Sequence, residues 1–223
     1  MELLSRMQKK EETILTLKDS WKISQPKEKQ GVMYSSDIGI LVTIAKNTYS
    51  SQDPHLNEEE KRTLSIMSQG LYELLNFEEG QDPELFLQKA ISLIITELDL
   101  RLSQESFERI YFFMYKEFIG LGKIEAIKRD PLVTKILYKG KEETIKIEHR
   151  IYGTLNTEII LNKEERESIL KHILISYNKE IPEEIQEVVC ENEKEKWKML
   201  WKGEESAFLC AKKQATISSP RLQ

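Results

Sequence analysis

The first segment of this chain that could do chemistry is a glycine-rich run that contains Lys123, Phe118-Ile-Gly-Leu-Gly-Lys-Ile124. Backbone amides in such a run can cradle phosphate, but a nucleotide-binding loop follows a strand and ends in Gly-Lys before Ser or Thr. Here Ile124 follows Lys123, the preceding pattern is helical, and no third glycine arrives. The run therefore favours a helix end and a tight turn built on Gly120 and Gly122.

His149 and Arg150 are a second pair that could act chemically, and they are adjacent in a segment of alternating polarity. Neighbouring strand residues point to opposite faces of a sheet, so the two cannot easily form a compact catalytic pair. We predict a structural role, with His149 facing the interior and Arg150 on a polar interface, and catalysis by the pair is the alternative. No Ser/His/Asp set or paired-carboxylate cleft stands out in the sequence.

Composition limits the classes of partner and cofactor. The net charge of -5 disfavours nucleic acid, whose binding depends on Lys and Arg at phosphates. Cys190 and Cys210 lack the close spacing of a zinc site, so we predict no metal site. No apolar run reaches the roughly 18 to 20 residues that span a bilayer, and the charged N-terminus lacks the apolar core of a signal peptide. We therefore expect a cytoplasmic protein without a transmembrane segment.

The elements that position these residues are predicted to form an α+β fold, an N-terminal three-helix bundle followed by a small antiparallel sheet packed by helices. Residues 1–35 are predicted to be a polar arm. Residues 36–130 would form the bundle subdomain with a small hairpin at its start, and residues 131–223 the sheet with its helices. The β-rich run 38–44, with a turn at Lys46-Asn47, predicts that hairpin.

Capping signals predict where the helices begin. Asn57 with Glu60 forms a capping box, Asp82 precedes a proline at the first helical position, and Ser103 can cap a third helix. The second of these helices is apolar on most sides, so we expect it to be central. A further capping box, Asn162 with Glu165, predicts a helix that covers one face of the sheet.

Alternating polarity after Pro131 predicts three strands, over residues 134–138, 145–151 and 157–161. The segment 178–205, rich in Glu and Lys, is predicted to be a charged helical insertion. Within it Trp197 and Trp201 would lie one helical turn apart, as candidates for a partner interface or a membrane surface. Packing of both indoles on their own domain is the favoured alternative.

Several of these segments carry a resemblance to a known family. From about Tyr49 to Tyr177, and again from Ala211 to Pro220, the chain resembles the N-terminal region of archaeal type II/IV secretion ATPases, which power secretion systems, type IV pili and the archaeal flagellum. The family pattern is a helix ending in aromatic-Leu-Gly-Tyr-Gly-Lys-Ile, then Asp-Pro-Leu and Asp-Pro, then a strand with His-Arg-x-Tyr-Gly. Here Leu121 and Glu125-Ala126 replace the family's usual Tyr and first Asp-Pro. The matching residues, for which we expect structural roles, are Gly120, Gly122, Lys123, Asp130, Pro131, His149, Arg150, Tyr152 and Gly153.

The resemblance also implies what this sequence lacks. The family continues through a Pro-Asp-Gly-x-Arg hairpin into a nucleotide-binding domain, whereas here Pro220 is followed by Arg221 and two further residues. Arg221 is the only candidate for the family's nucleotide-contacting arginine. No Gly-Lys-Ser/Thr loop occurs in the sequence. We therefore expect no catalytic residue and no cofactor here, with ATP and Mg entering only through a catalytic partner domain.

These expectations lead to one hypothesis and two alternatives. The hypothesis is a non-catalytic docking and assembly domain, whose partners are secretion or pilus ATPase subunits and a membrane platform protein at the inner face of the membrane. One alternative is half of a split secretion ATPase whose catalytic half is a separate chain. The other is a helical nucleic-acid-binding module of a mobile element.

Overall fold

The computed structural model describes most of the chain between Trp21 and Lys213. The described residues are 21–23, 31–74, 82–140, 143–202 and 205–213, with the backbone alone for 21–23 and 73–74. Most of the predicted polar arm, and the tail that contains Arg221, lie outside the described residues.

Strands and helices alternate in groups along the described chain. The strands are β1 (Trp21–Ile23), β2 (Val32–Ser36), β3 (Leu41–Ala45), β4 (Thr48–Gln52), β5 (Val133–Tyr138), β6 (Thr144–His149), β7 (Gly153–Ile160), β8 (Gln186–Glu191), β9 (Glu195–Trp201) and β10 (Ala207–Lys212). The helices are α1 (Glu58–Leu74), α2 (Pro83–Glu97), α3 (Gln104–Phe118), α4 (Glu125–Arg129) and α5 (Lys163–Ser176), and a 3-10 turn spans Gly122–Ile124.

The described strands form one sheet in the order β1-β2-β3-β4-β7-β6-β5-β10-β9-β8. Neighbours pair antiparallel except β4 and β7, which run parallel through Thr48 opposite Asn156 and Tyr49 opposite Thr157. This parallel pair joins the N-terminal hairpins to the strands that follow the helices. The result is a single mixed sheet of ten strands within the described residues, nine of them from Val32 onward.

The predicted order of a helical bundle followed by a small antiparallel sheet is wrong. Strands precede α1, and the three helices α1, α2 and α3 are inserted between β4 and β5, in the middle of the sheet's sequence. The error has a physical cause, because a parallel pairing of strands about one hundred residues apart leaves no local signal in the sequence. The hairpin was therefore assigned to the bundle when it belongs to the sheet.

The predicted helical insertion over residues 178–205 is also wrong, because this segment contains β8 and β9. Trp197 and Met199 are buried while Lys198 between them is exposed, which is the period of a strand. Asn192 makes the turn, its side chain accepting from the amides of Lys194 at 2.8 Å and Glu195 at 2.9 Å. Glu187, Glu191, Lys196 and Lys198, which suggested exposed helices, instead lie on the side of the sheet away from the core, while Glu195 faces the core.

The predicted helix starts are confirmed. Asp82 accepts from the amide of Glu84 at 2.9 Å, with Pro83 at the first helical position, and Ser103 accepts from Ser106. Capping boxes form at both predicted sites, Asn57 with Glu60 and Asn162 with Glu165. The expectation that α2 is central is wrong, because it buries one face and leaves large apolar residues exposed on the other. These are Leu85, Leu93 and, just after it, Leu98.

The predicted strands are confirmed on either side of the helices. Lys46 and Asn47, at φ of 48° and 66°, turn the chain from β3 into β4, as a two-residue hairpin requires. After Pro131, β5, β6 and β7 lie within a few residues of the predicted bounds. No helix among the described residues is both long and apolar enough to cross a bilayer.

The main core lies on one face of the sheet. Alternate residues of β2 to β10 pack there under α5, α4 and the 3-10 turn, with Tyr49, Tyr138 and Trp197 among the largest buried side chains. Cys190 and Cys210 are buried on this face, each directly opposite Trp197 on a neighbouring strand. A second core joins α1, α2 and α3. In a third, Phe112 of α3 packs with Ile38 and Ile40 of the β2–β3 turn.

Candidate functional site

The candidate site is centred on Asp130, which lies between α4 and β5 and is fully buried. Its backbone amide closes α4 by donating to the carbonyls of Ala126 and Ile127 at 3.2 Å. Its Oδ1 accepts from the amide of Leu132 at 2.8 Å. The side chain is thus held at the point where a helix becomes a strand, and its second oxygen faces the core.

Two tyrosines from the N-terminal strands meet that second oxygen. Tyr34 of β2 and Tyr49 of β4 both donate their hydroxyl groups to Asp130 Oδ2, the latter at 2.9 Å. Burial raises the pKa of both tyrosines well above the ordinary value, and the charge of Asp130 raises the pKa further. Both hydroxyl groups therefore stay protonated and act as donors, which satisfies a carboxylate that would be costly to bury alone.

His149, the last residue of β6, joins the same network. Its Nδ1 accepts from the amides of Ile151 at 3.2 Å and Tyr152 at 3.3 Å, so the ring proton lies on Nε2. Nε2 lies 3.1 Å from the hydroxyl oxygen of Tyr34, which accepts this proton. Burial lowers the pKa of His149, although the charge of Asp130 acts in the opposite direction. The imidazole is therefore neutral at pH 7 and fixes the β6–β7 turn.

Lys212, at the end of β10, completes the site from the other side. Its Nζ donates to the backbone carbonyl of Asp130 at 2.6 Å. Burial lowers the pKa of Lys212 to about 8, while the nearby charge of Asp130 raises it. The ammonium group therefore connects β10 to the junction of α4 and β5.

A second polar cluster lies beside Lys212, around the mostly buried carboxylate of Glu195. Trp197 Nε1 donates to Glu195 Oε1 at 2.9 Å, and the hydroxyl of Tyr177 donates at 3.3 Å. Lys128 of α4 forms an ion pair with the same oxygen at 3.4 Å. The two polar clusters, one around Asp130 and one around Glu195, thus connect α4 and α5 to the sheet.

The glycine-rich run forms a closed turn, as predicted. A Cβ on Gly120 would lie 2.9 Å from both the carbonyl oxygen of Tyr115 and the Cα of Lys116, so only glycine fits. The amide of Leu121 donates to Glu125 Oε2 at 2.9 Å, and Glu125 in turn pairs with Arg129. Groups of the protein itself thus occupy this turn, as a helix end requires and a phosphate cradle does not.

Lys123 points to the surface. Its Nζ pairs with Glu165 of α5 at 2.8 Å, and Lys123 and Glu165 both line a surface cavity of about 480 Å³. His172 borders the same cavity and contacts the carbonyl oxygen of Gly120 through Nδ1 at 2.6 Å. The remaining lining is Phe113, Lys116, Glu117, Gly122, Glu164, Ser168 and Ile169. The lining mixes both charges and does not define one ligand class.

The other residues singled out in the sequence lie close to this network or in the core. Arg150 is exposed, and its amide donates to the carbonyl of Leu132 at 2.7 Å. Gly153 begins β7 with a φ of 68°, which favours glycine. Trp197 is buried and Trp201 packs partly against the same core, so the alternative of packing on their own domain fits both.

The ring of Tyr152 lies 5.1 Å from that of His149 and is partly exposed. Pro131, immediately after Asp130, is exposed. The structure therefore brings Asp130, His149 and Tyr152 together. It leaves Lys123 and Arg150 at the surface.

Three members of the network were missed in the sequence, namely Tyr34, Tyr49 and Lys212. Lys212 follows buried Phe208 and Cys210 in the alternation of β10, Tyr34 follows buried Val32 on β2, and Tyr49 is the buried residue of β4. A polar side chain at a position where the alternation predicts a buried residue indicates a buried hydrogen bond, because a buried polar group needs a hydrogen-bond partner. The identity of that partner, Asp130, could not be read from the sequence.

The arrangement binds structural elements to one another. Both oxygens of Asp130 are occupied, the hydroxyl groups of Tyr34 and Tyr49 are kept protonated, and His149 has hydrogen bonds at both nitrogens. Among the described residues no group of three or more His, Cys, Asp or Glu side chains could hold a metal ion. We call Asp130, Tyr34, Tyr49, His149 and Lys212 the Asp130 network.

Comparison with known proteins gives a distant relative and no family assignment. No protein-family model matches the chain. An uncharacterized protein of Methanocaldococcus jannaschii is 28% identical over 117 residues, which is 51% of this chain and 46% of that protein. The matched region thus spans about half the length of this curated relative, and the similarity does not assign a family.

Proposed function

We propose that the chain is a non-catalytic docking and assembly module related to the N-terminal domain of archaeal type II/IV secretion ATPases. The Asp130 network carries this proposal. Asp130 and His149 come from two separate segments of the family pattern, and Tyr34 bridges them. Residues that hold each other in a closed, buried network serve a scaffold, since a catalytic group must reach its substrate.

The glycine turn gives independent support. In the family pattern it follows a helix, and here it joins the helical bundle to α4 and so to Asp130. Gly120 permits the close approach of the turn to α3, and Glu125 occupies the Leu121 amide. These contacts support the interpretation of the pattern as the junction of a helical unit and a sheet, and not as a phosphate-binding loop.

The relative is in keeping with an archaeal setting. It is an uncharacterized protein of Methanocaldococcus jannaschii. We assign to this chain, as partners, the subunits of a secretion or pilus ATPase and a membrane platform protein. Its work would then be to position those subunits, and ATP would be consumed by a domain other than the one described here.

A binding experiment tests this function directly. The purified chain is mixed with a full-length archaeal secretion ATPase and, separately, with its platform protein in detergent, and complex formation is followed by co-elution and interferometry. Association with either protein is the expected result. Absence of association with both would remove the docking role.

An activity assay tests the non-catalytic part of the proposal. We expect the purified chain to release no phosphate from ATP above buffer. Hydrolysis that co-elutes with the chain, and that is lost in Lys123→Ala but kept in the surface control Lys163→Ala, would contradict the proposal. Hydrolysis that appears only on mixing with a separate chain carrying a Gly-Lys-Ser/Thr loop would instead identify one half of a split motor.

A further inference from the structure

The side of the sheet opposite the main core is open in the described part of the chain. On β5, β6, β9 and β10 the residues that alternate with the core are all partly or fully exposed. Lys135 and Lys196, for example, keep 50% and 39% of their side chains accessible. We call these residues the open face.

One row across the open face has a distinctive order. Four directly paired residues from adjacent strands read Lys198, Leu209, Leu137 and Lys146. Leu200 lies diagonal to Leu209 and enlarges the apolar centre, since diagonal neighbours on a sheet are within reach of long side chains. Leu209 and Leu137, with Ala207 and Ala211 beside Leu209 on β10, thus form a short apolar strip that has one lysine on each side, and Lys135 precedes Leu137 on the same face of β5.

The two bordering lysines differ from the other lysines of this face. Lys135 pairs with Glu148 at 2.6 Å and Lys196 with Glu191 at 2.8 Å, so their charges are compensated. Lys146 and Lys198 form no ion pair with any described residue. The apolar strip therefore has an uncompensated positive charge on either side.

The spacing fits one kind of occupant. Four adjacent strands span three intervals of about 4.8 Å, which places the two lysine positions about 14 Å apart. An α-helix with its side chains is about 10 to 12 Å across, so a helix lying along β10 and β5 would have one lysine at each flank. Its apolar stripe would contact Leu209 and Leu137, and carboxylates beside that stripe would meet the lysines.

From this geometry we propose that the open face binds an amphipathic helix of a partner protein whose apolar stripe is flanked by Glu or Asp on both sides. This inference goes beyond the docking role, because it specifies the secondary structure and the charge pattern of the bound segment, whichever protein contains it. Single-stranded nucleic acid fits less well. Its recognition on sheets relies on aromatic stacking, and the described strands β5, β6, β9 and β10 present no aromatic side chain on this face.

Designed peptides test the proposal without knowledge of the natural partner. One labelled peptide of about 20 residues, long enough for a 30 Å helix, carries a leucine stripe flanked by glutamates, and a second carries lysines in their place. Fluorescence anisotropy measures binding to the full chain and to Lys146→Glu/Lys198→Glu. The control Lys89→Glu/Lys163→Glu makes the same change of net charge at exposed lysines on α2 and α5.

We expect the acidic peptide to bind the wild type and the control alike, and to bind the double variant at least about tenfold more weakly, because close charge pairs are lost and like charges face each other. The lysine peptide should show the reverse order. Thermal unfolding of each variant verifies that the fold is kept. Binding of the acidic peptide that is undetectable, or equal in all three proteins, overturns the proposal. Tighter binding of single-stranded RNA that is lost in the double variant would also overturn it.

Discussion

At the scale of single residues, Asp130 is the centre of the described polar core. It receives hydrogen bonds from two tyrosines and one backbone amide, and its carbonyl receives Lys212. The two tyrosines and the lysine come from β2, β4 and β10, which are distant from Asp130 in the sequence. Asp130 therefore connects both halves of the sheet, through its carboxylate to β2 and β4 and through its backbone carbonyl to β10.

Replacement of this carboxylate should be costly. Asp130→Asn keeps the volume but can place an amide donor against the hydroxyl donors of Tyr34 and Tyr49. We expect a loss of about 2 to 4 kcal/mol in the free energy of unfolding, as for a buried polar group left without its partner. Urea unfolding measures the change. The exposed control Asp37→Asn should stay within about 0.5 kcal/mol of the wild type, and equal stability of the two variants would refute the assigned role of Asp130.

His149 predicts how stability depends on pH. Burial lowers the pKa of His149 in the folded protein below that of the unfolded chain, about 6.5. Between the two values the unfolded state binds more protons, so stability falls as the pH drops below about 6.5. The groups that face this ring are Asp130, Tyr34 and Tyr152.

Unfolding free energies at pH 7.5 and at pH 5.5 test this expectation. Part of the difference between them should disappear in His149→Gln, whose stability at pH 7.5 is also lower because the turn amides lose their acceptor. The exposed His55→Gln should keep the wild-type dependence on pH. An unchanged dependence in His149→Gln would show that another group is responsible.

At the scale of elements, Gly120 and Gly70 differ in the space that a side chain would have. A Cβ on Gly120 meets backbone atoms at 2.9 Å, which cannot move without disturbing the end of α3. A Cβ on Gly70, inside α1, lies 3.4 Å from the end of the Ile94 side chain, an ordinary contact. The same substitution should therefore have opposite signs at the two sites.

We expect Gly120→Ala to lower the unfolding free energy by about 1 to 3 kcal/mol, the usual range for overpacking. Gly70→Ala should raise it by up to about 1 kcal/mol, because alanine is the better helix former. Chemical denaturation of both variants gives the comparison. A stable Gly120→Ala would mean that the turn does not need the close approach seen here.

The elements also show how far the sequence could lead. Local chemistry predicted the starts of α1, α2, α3 and α5, because capping side chains act within a few residues. The β3–β4 turn and the position of His149 could be predicted for the same reason. The segment of β8 and β9 was predicted to be helical because it is rich in Glu and Lys, as the exposed side of a helix is. Only a few buried residues alternate with these charged residues, so the strand period was hard to recognise. Tyr34 and Tyr49 contact Asp130 because strands distant in the sequence pair with one another, and such pairings cannot be predicted from local sequence patterns.

At the scale of the whole molecule, the helical unit is joined to the sheet through a small contact. Phe112 of α3 is fully buried against Ile38 and Ile40, and the rest of the bundle has its own core. The cooperativity of unfolding should depend on this side chain. The neighbouring Phe113 is only partly buried and provides a matched control.

Phe112→Ala should reduce the unfolding free energy by about 3 to 5 kcal/mol and separate the loss of helical circular dichroism from the loss of tryptophan fluorescence. Buried Trp197 lies in the sheet, while α1, α2 and α3 contribute most of the helix. Phe113→Ala should cost less and keep the two transitions coincident. Coincident transitions in both variants would show that the two units are coupled elsewhere.

The placement of the two cysteines has a practical consequence. Cys190 and Cys210 lie on either side of Trp197, two strand intervals or about 10 Å apart, too far for a disulfide. Burial raises the pKa of Cys210 to about 12, so its sulfur is both shielded and unreactive in the intact fold. A thiol reagent would modify these sulfurs only when β8, β9 and β10 separate, and the rate of labelling would report how often that end of the molecule opens in otherwise native conditions.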